Sequence, residues 1–264
     1  MNRTWNLTDL ELFALWEWAT SEALPWPFFC ATRTLDSDEL RRQKNAAVDG
    51  WRSDNAEFVT VVLEALLEPD IRVVVHAYDG SDDMKVDALV RILACRRGDR
   101  GYVVRQLPGE TYWHSGGYVI TECDAVSLAG LVVEQIPECE VGRHADYVLG
   151  TDDKAHELDY SYAMSAVHDS FDDPAPLRAQ QFESATVERA GAVEIIQGRS
   201  RFGPRGVTRH KLTWRDLADD GRYVIAEEVP RVATGADAKR FTEMINRRIA
   251  AVVRAIKDER VQGV

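Results

Sequence analysis

Ile71-Arg72-Val73-Val74-Val75-His76-Ala77-Tyr78 is the stretch whose reading decides the fold. It is rich in β-branched residues, too short for a stable amphipathic helix, and bounded by Glu68-Pro69-Asp70 on one side and Asp79-Gly80-Ser81-Asp82-Asp83 on the other. Such a run reads as a strand. Upstream of it the pattern is helical. Thr8-Asp9-Leu10-Glu11 is a capping box, in which hydroxyl and carboxylate satisfy backbone donors at a helix start. The helix it opens runs to about Glu22, with Leu12, Phe13, Leu15, Trp16, Trp18 and Ala19 dense enough to bury most of its surface. Pro25 and Pro27 forbid continuation and predict an extended segment from Pro25 to Ala31. Ser37 or Asp38 can cap a second helix to about Gly50, and Asn55 opens a third through Leu67.

Downstream the period stays that of strands. Asp87 to Cys95 and Tyr102 to Gln106 flank the hairpin signal Arg96-Arg97-Gly98-Asp99-Arg100-Gly101. Tyr118 to Glu122 is a further strand, leading into a helix capped by Asp124 that ends near Pro137. The second half repeats this ending: a helix from Pro174 to Thr186, strands Val187 to Gln197 and Val207 to Trp214, a turn at Asp219-Asp220-Gly221, and a strand Tyr223 to Glu227. A final helix is expected from Thr234, with Phe241, Ile245, Ile249, Val252, Val253 and Ile256 along one stripe. Gly116-Gly117-Tyr118-Val119-Ile120-Thr121-Glu122 parallels Gly221-Arg222-Tyr223-Val224-Ile225-Ala226-Glu227, which reads either as an internal duplication or as the common way to write a buried strand after a glycine turn. The expected fold class is α+β: a mainly antiparallel β-sheet with flanking helices, in two pseudo-symmetric halves.

Composition narrows the function. With 44 acidic and 32 basic residues among 264, the chain carries a net charge of −12, which disfavours nucleic-acid backbones and anionic membrane surfaces as partners. Its most apolar stretch, Phe58 to Leu67, is interrupted by Thr60 and Glu64 and is far short of a bilayer span. The first residues lack the apolar core of a secretory signal, so a cytoplasmic protein is expected. Cys30, Cys95, Cys123 and Cys139 lie too far apart for a metal-binding pair and read as small core hydrophobes. Residues 146–173 hold eight acidic residues and only Lys154 as a base. We expect a solvated connector there, joining approximate halves 1–145 and 174–264 of a single domain spanning 1–264.

No chemistry-bearing motif stands out. The histidines at 76, 114, 144, 156, 168 and 210 form no His-Glu-x-x-His pair, and there is no Gly-x-Ser-x-Gly elbow or phosphate-binding glycine loop followed by lysine. Cys139, His144 and Asp146 form the nearest thing to a cluster, with a loop of ordinary polar residues as the simpler reading. No cofactor and no metal site is expected, and the chain reads as a binding protein more than a catalyst. An alternative is a hydrolase- or transferase-like enzyme whose site is assembled between the halves from His114, His144, His210 and nearby acids. A third is a homodimer pairing through an exposed sheet edge. The loop Tyr78 to Lys85, with an aromatic and Met84 beside Asp79, Asp82 and Asp83, is either an adaptable contact surface or a plain solvated turn.

The order of elements resembles the EspG proteins of actinobacterial type VII (ESX) secretion over nearly the whole chain. The resemblance rests on Leu7-Thr8-Asp9-Leu10-Glu11-Leu12 with Leu24-Pro25-Trp26-Pro27, then Ile71 to Tyr78 and Leu89-Val90-Arg91. It continues with Gly198-Arg199-Ser200-Arg201, Leu212-Thr213-Trp214, Asp220-Gly221-Arg222-Tyr223 and the final helix. It implies an α+β fold of two related halves and a cytosolic, non-enzymatic chaperone that binds the helical tip of a PPE protein in a PE/PPE heterodimer. Covering that apolar tip would prevent its self-association and help direct the cargo to its secretion system. In the family the contact surface involves the loop between the second and third strands, the sheet and helices of the C-terminal half. Here that implies Tyr78, Asp79, Asp82, Asp83 and Met84, and in the second half Arg199, Arg201, Phe202 and Trp214. For Trp214, packing on the sheet face is the competing role. The short acidic loop and the negative connector depart from the family pattern and leave the cargo open, including other helical ESX substrates.

Overall fold

A computed structural model describes residues 3–149 and 174–261. Most of the segment expected as an acidic connector, residues 150–173, therefore lies outside the described residues. The chain runs β1 (Thr4–Leu7), α1 (Asp9–Thr20), α2 (Ser37–Asp54), a π-helical turn Phe58–Val62 continuous with α3 (Leu63–Leu67), β2 (Ile71–Asp79), β3 (Val90–Arg97), β4 (Arg100–Pro108), β5 (Ser115–Asp124) and α4 (Leu128–Glu134). It then continues through β6 (Tyr147–Leu149), α5 (Pro174–Ser184), β7 (Val187–Gln197), β8 (Arg209–Leu217), β9 (Gly221–Ala226), β10 (Arg231–Gly235) and α6 (Ala238–Val261).

All ten described strands join one antiparallel sheet in the order β1-β5-β4-β3-β2-β7-β8-β9-β10-β6. That order is symmetric about the β2–β7 pair. Each half is an outer strand, a helical layer, a four-strand meander and a closing helix, so the two pseudo-symmetric halves of an α+β fold are present in the topology. The matching heptapeptides do not mark the equivalence, however. Gly116–Glu122 lies in β5, fourth in its meander, whereas Gly221–Ala226 is β9, third in its own; β10 occupies the place of β5. The likeness reflects what a buried strand after a glycine needs.

The period-two pattern of β2 sorts the layers. Ile71, Val73, Val75 and Ala77 face α4 and α6, in a core that includes Val132, Trp214, Phe241, Ile245 and Val252. The opposite face carries two separate cores: Val74 and its neighbours lie under α1–α3, while Phe182 of α5 packs with Tyr147, Tyr223 and Ile225 at the far end. The expected capping box forms, with the Thr8 hydroxyl accepting from the Glu11 amide and the Glu11 carboxylate from the Thr8 amide.

Four expectations change, the first being that the strand expected from Asp87 starts only at Val90, after a 3-10 turn at Val86–Ala88. Thr234 does not start the last helix: it pairs with Val224 inside β10, and Asp237 caps α6 by accepting from the Arg240 amide at 2.7 Å. Pro25 to Ala31 is not extended throughout, because Trp26 and Pro27 form a turn closed by the Phe28 amide on the Pro25 carbonyl. Asp124 ends β5, and α4 begins only at Leu128.

Candidate partner-binding surface

Between the α1–α3 layer and α5 the middle of one sheet face is left without a helix. Cross-strand register defines its floor: His76 of β2 pairs with Ala192 of β7 and that with Thr213 of β8, while Tyr78, Ala190 and Arg215 form the neighbouring row. These side chains are half-buried. Alanines in the centre make the floor shallow. On one side Arg215 lies over the Phe182 ring of α5, 5.4 Å from its centroid.

The other wall is aromatic and comes from two loops. Trp26 packs on the His76 ring with centroids 4.8 Å apart, and Phe29 contacts Tyr112 and Trp113 at 5.3 and 5.1 Å. Trp26 and Trp113 remain 51% and 52% exposed, far more than the buried aromatics of the cores. Arg33 fastens the two loops together, because it binds both oxygens of Glu110 at 2.9 and 2.6 Å and also pairs with Asp9. The paired guanidinium holds the Glu110 carboxyl down at about 2. Beneath the aromatics, burial first and the neighbouring Arg91 charge second push the His76 imidazole down to about 4, so this ring is neutral at pH 7.

The β2–β3 loop stands at the end of the floor. Asp79 organises it: its carboxylate accepts from the Ser81 amide, the Ser81 hydroxyl and the Lys85 ammonium at 3.0, 2.7 and 2.8 Å. Those donors hold the Asp79 carboxyl well below the usual carboxylate range. Asp82 accepts from the Met84 amide, and Asp82, Asp83 and Met84 are exposed. Tyr78 belongs to the floor itself.

The remaining expected contacts are not beside this loop. β2 and β7 run antiparallel from Ile71↔Gln197 to Asp79↔Arg189, which places Arg199, Arg201 and Phe202 at the opposite end, roughly 26 Å away at ~3.3 Å per strand residue. There the hairpin is tied down: Glu259 of α6 accepts from Gln197, the Ser200 hydroxyl and the Arg201 amide, and Arg199 pairs with Glu68. Trp214 is 1% exposed on the other face, against Phe241 and over Gly191, where an added Cβ would sit 2.3 Å from the indole. It offers no surface to a partner, so packing is its role. The aromatic wall was not singled out from sequence; its signal was the cluster Trp26-Pro27-Phe28-Phe29 with Tyr112-Trp113, aromatics concentrated in segments without strand or helix period.

The histidines expected to assemble a catalytic cleft are dispersed. His114 lies in the β4–β5 loop against Thr111, His144 donates its amide to Tyr223 beside α5, and His210 of β8 pairs with Ile195, whose side chain lies on the α4/α6 face. Among the described residues, no three His, Cys, Asp or Glu side chains are placed to hold a metal ion.

The fold is thus a two-fold repeated α+β sheet with an uncovered strip on one face, bordered by an aromatic wall. The chain belongs to the EspG family, whose model matches residues 8–247. Among solved structures it is similar to the Mycobacterium tuberculosis type VII secretion system chaperone EspG5 in complex with a PE25-PPE41 dimer, at 13% identity and a TM-score of 0.45, over 98% of this chain and 96% of that one. No curated protein matches in sequence.

Proposed function

We propose that this protein is a chaperone of type VII (ESX) secretion that binds the helical tip of a PPE-type protein within a PE/PPE heterodimer, keeps it soluble and directs it to its secretion system. Membership of the EspG family carries this reading, and the geometry suits it. Three adjacent strands, β2, β7 and β8, span about 10 Å at ~4.8 Å per strand, the diameter of one helix with its side chains. On β2 the strip is open only at His76 and Tyr78, because Val74 lies under α1–α3 and Ile196 of β7 packs there too, so a helix seated beside the β2–β3 loop would continue mainly over β7 and β8 toward their hairpin. Tyr78, Asp79, Asp82, Asp83 and Met84 would contact it at one end and Arg199, Arg201 and Phe202 at the other. Trp26 and Trp113 supply apolar anchors, and the charged loops set specificity. Its place of action is the cytoplasm and its role non-enzymatic; among the described residues no helix is long and apolar enough to cross a membrane.

The test is co-expression with a PE/PPE heterodimer and size-exclusion chromatography with light scattering, which also reads self-association of the free protein. A complex of one copy of each chain, lost when Asp82→Arg is combined with Met84→Asp, is expected. Absence of a complex with every PE/PPE heterodimer and helical ESX protein tried would overturn the proposal.

A further inference from the structure

Two arginines are buried to the same degree, 3% exposed, and are treated in opposite ways. Arg222 presents Nε and Nη2 to the two carboxylate oxygens of Asp216, at 2.7 and 2.8 Å. That edge of a guanidinium matches a carboxylate with two parallel hydrogen bonds. On Arg91 of β3 the same two atoms are shielded from solvent and have no hydrogen-bond partner in the described structure. Its cross-strand neighbour His76 also has a buried, unpaired Nε2.

Among the described residues, aromatic rings and no acid face the Arg91 guanidinium. Phe29 and Tyr112 cover the guanidinium with centroids 4.7 and 4.3 Å away, which offsets part of its desolvation. Of the acids on the neighbouring loops, Glu110 is held by Arg33 and Asp79 by Lys85 and Ser81, and among the described residues neither these nor Asp82, Asp83 and Asp87 pair with Arg91. A slot of about 10 Å³, room for one water-sized group, reaches Arg91 between the β2–β3 loop at Val86 and Leu89, the end of β4 at Leu107, and the β4–β5 loop at Thr111 and His114.

We propose that Arg91 is the receptor for a carboxylate carried by the bound helical partner, an Asp or Glu side chain that takes the Nε/Nη2 edge as these two loops part to admit it, since the slot between them now has room for no more than one water. This rests on the chaperone reading and adds to it a chemical requirement on the cargo: an acid beside the apolar tip. The Trp26 and Trp113 rings would exclude water from the pair once the helix is seated.

The test uses the full chain and a PE/PPE heterodimer that it binds. Arg91→Met keeps the length and apolar packing between Phe29 and Tyr112. It is expected to leave Tm of the free protein unchanged or raised, since an unpaired buried charge is removed, and to weaken the complex at least about tenfold. Arg91→Lys, which keeps the charge and loses the fork, also weakens it. Replacing each exposed Asp or Glu near the partner's tip by Asn or Gln should yield one variant that binds wild type as weakly and adds no further loss to Arg91→Lys. Should Arg91→Met not fold, Arg91→Lys with the partner series carries the test. Wild-type binding that survives Arg91→Met, or a partner series in which no acid matters, overturns the receptor and leaves the chaperone reading standing. Failure of the wild type to bind any heterodimer overturns both.

Discussion

Asp216 neutralises the buried Arg222 at both oxygens, away from water, and lies 3.4 Å from the partly exposed Arg189 as well. Asp216→Asn would leave a guanidinium buried without its charge, and we expect a loss of about 3–5 kcal/mol, read as a shifted urea midpoint. A loss under about 1 kcal/mol would sink that account of the pair. Trp214→Ala empties a large volume against Phe241 and should cost about 3–5 kcal/mol in the same measurement, with no change in partner affinity beyond the effect of unfolding. His76 makes stability depend on pH. Its folded pKa of about 4 lies below the ordinary 6.5, so above pH ~6.5 both states are neutral and the contribution is fully present. As pH falls toward 4 the unfolded chain takes up a proton that the folded one refuses, and stability drops. Arg91 from β3 and the rings of Trp26 and Tyr78 face this imidazole. In His76→Gln the fall of Tm between about pH 7.5 and 5 should be smaller than in wild type; equal falls would rule out this imidazole as their source.

Elements were legible where their period had room to show. β2, β3, β4, β5, β7 and β8 each extend over eight residues or more, and their alternation could be read directly. β1, β6 and β10 hold four, three and five residues, too few for a pattern, and exist because the meander edges beside them need partners for their backbone groups. The same competition explains Thr234, whose backbone finds the β9 ladder before helix α6 can claim it. Caps act at this scale too. Thr8→Ala removes one side of the capping box of α1 and should cost about 1 kcal/mol. Glu259→Ala releases three donors of the β7–β8 hairpin, so hydrogen exchange at residues 198–206 should accelerate while the β2 amides keep their protection. Uniform acceleration would show that α6 itself had been loosened.

At the scale of the whole molecule, α1–α3 and α5 flank the uncovered strip without closing over it, and the alanines at its centre keep the floor low. Ala192→Arg would raise a long charged side chain from that floor. Because Ala192 is only half-buried, Tm should change by a few degrees at most, whereas partner affinity should fall at least about tenfold. Undiminished binding would place the partner elsewhere. By itself the sequence determined the long strands and most of the helices, the antiparallel α+β class, the repeated order of elements, the acidic character and the likeness to the EspG family, because these are written in local period, turn residues, composition and the order of segments. Only the tertiary structure decided that the β2–β3 loop and the Arg199–Phe202 hairpin stand at opposite ends of the sheet, that Trp214 is core, and that Arg91 is buried without an acid. Those properties depend on which strands become neighbours and in which register, and that pairing joins residues more than a hundred positions apart, where no local pattern can carry it.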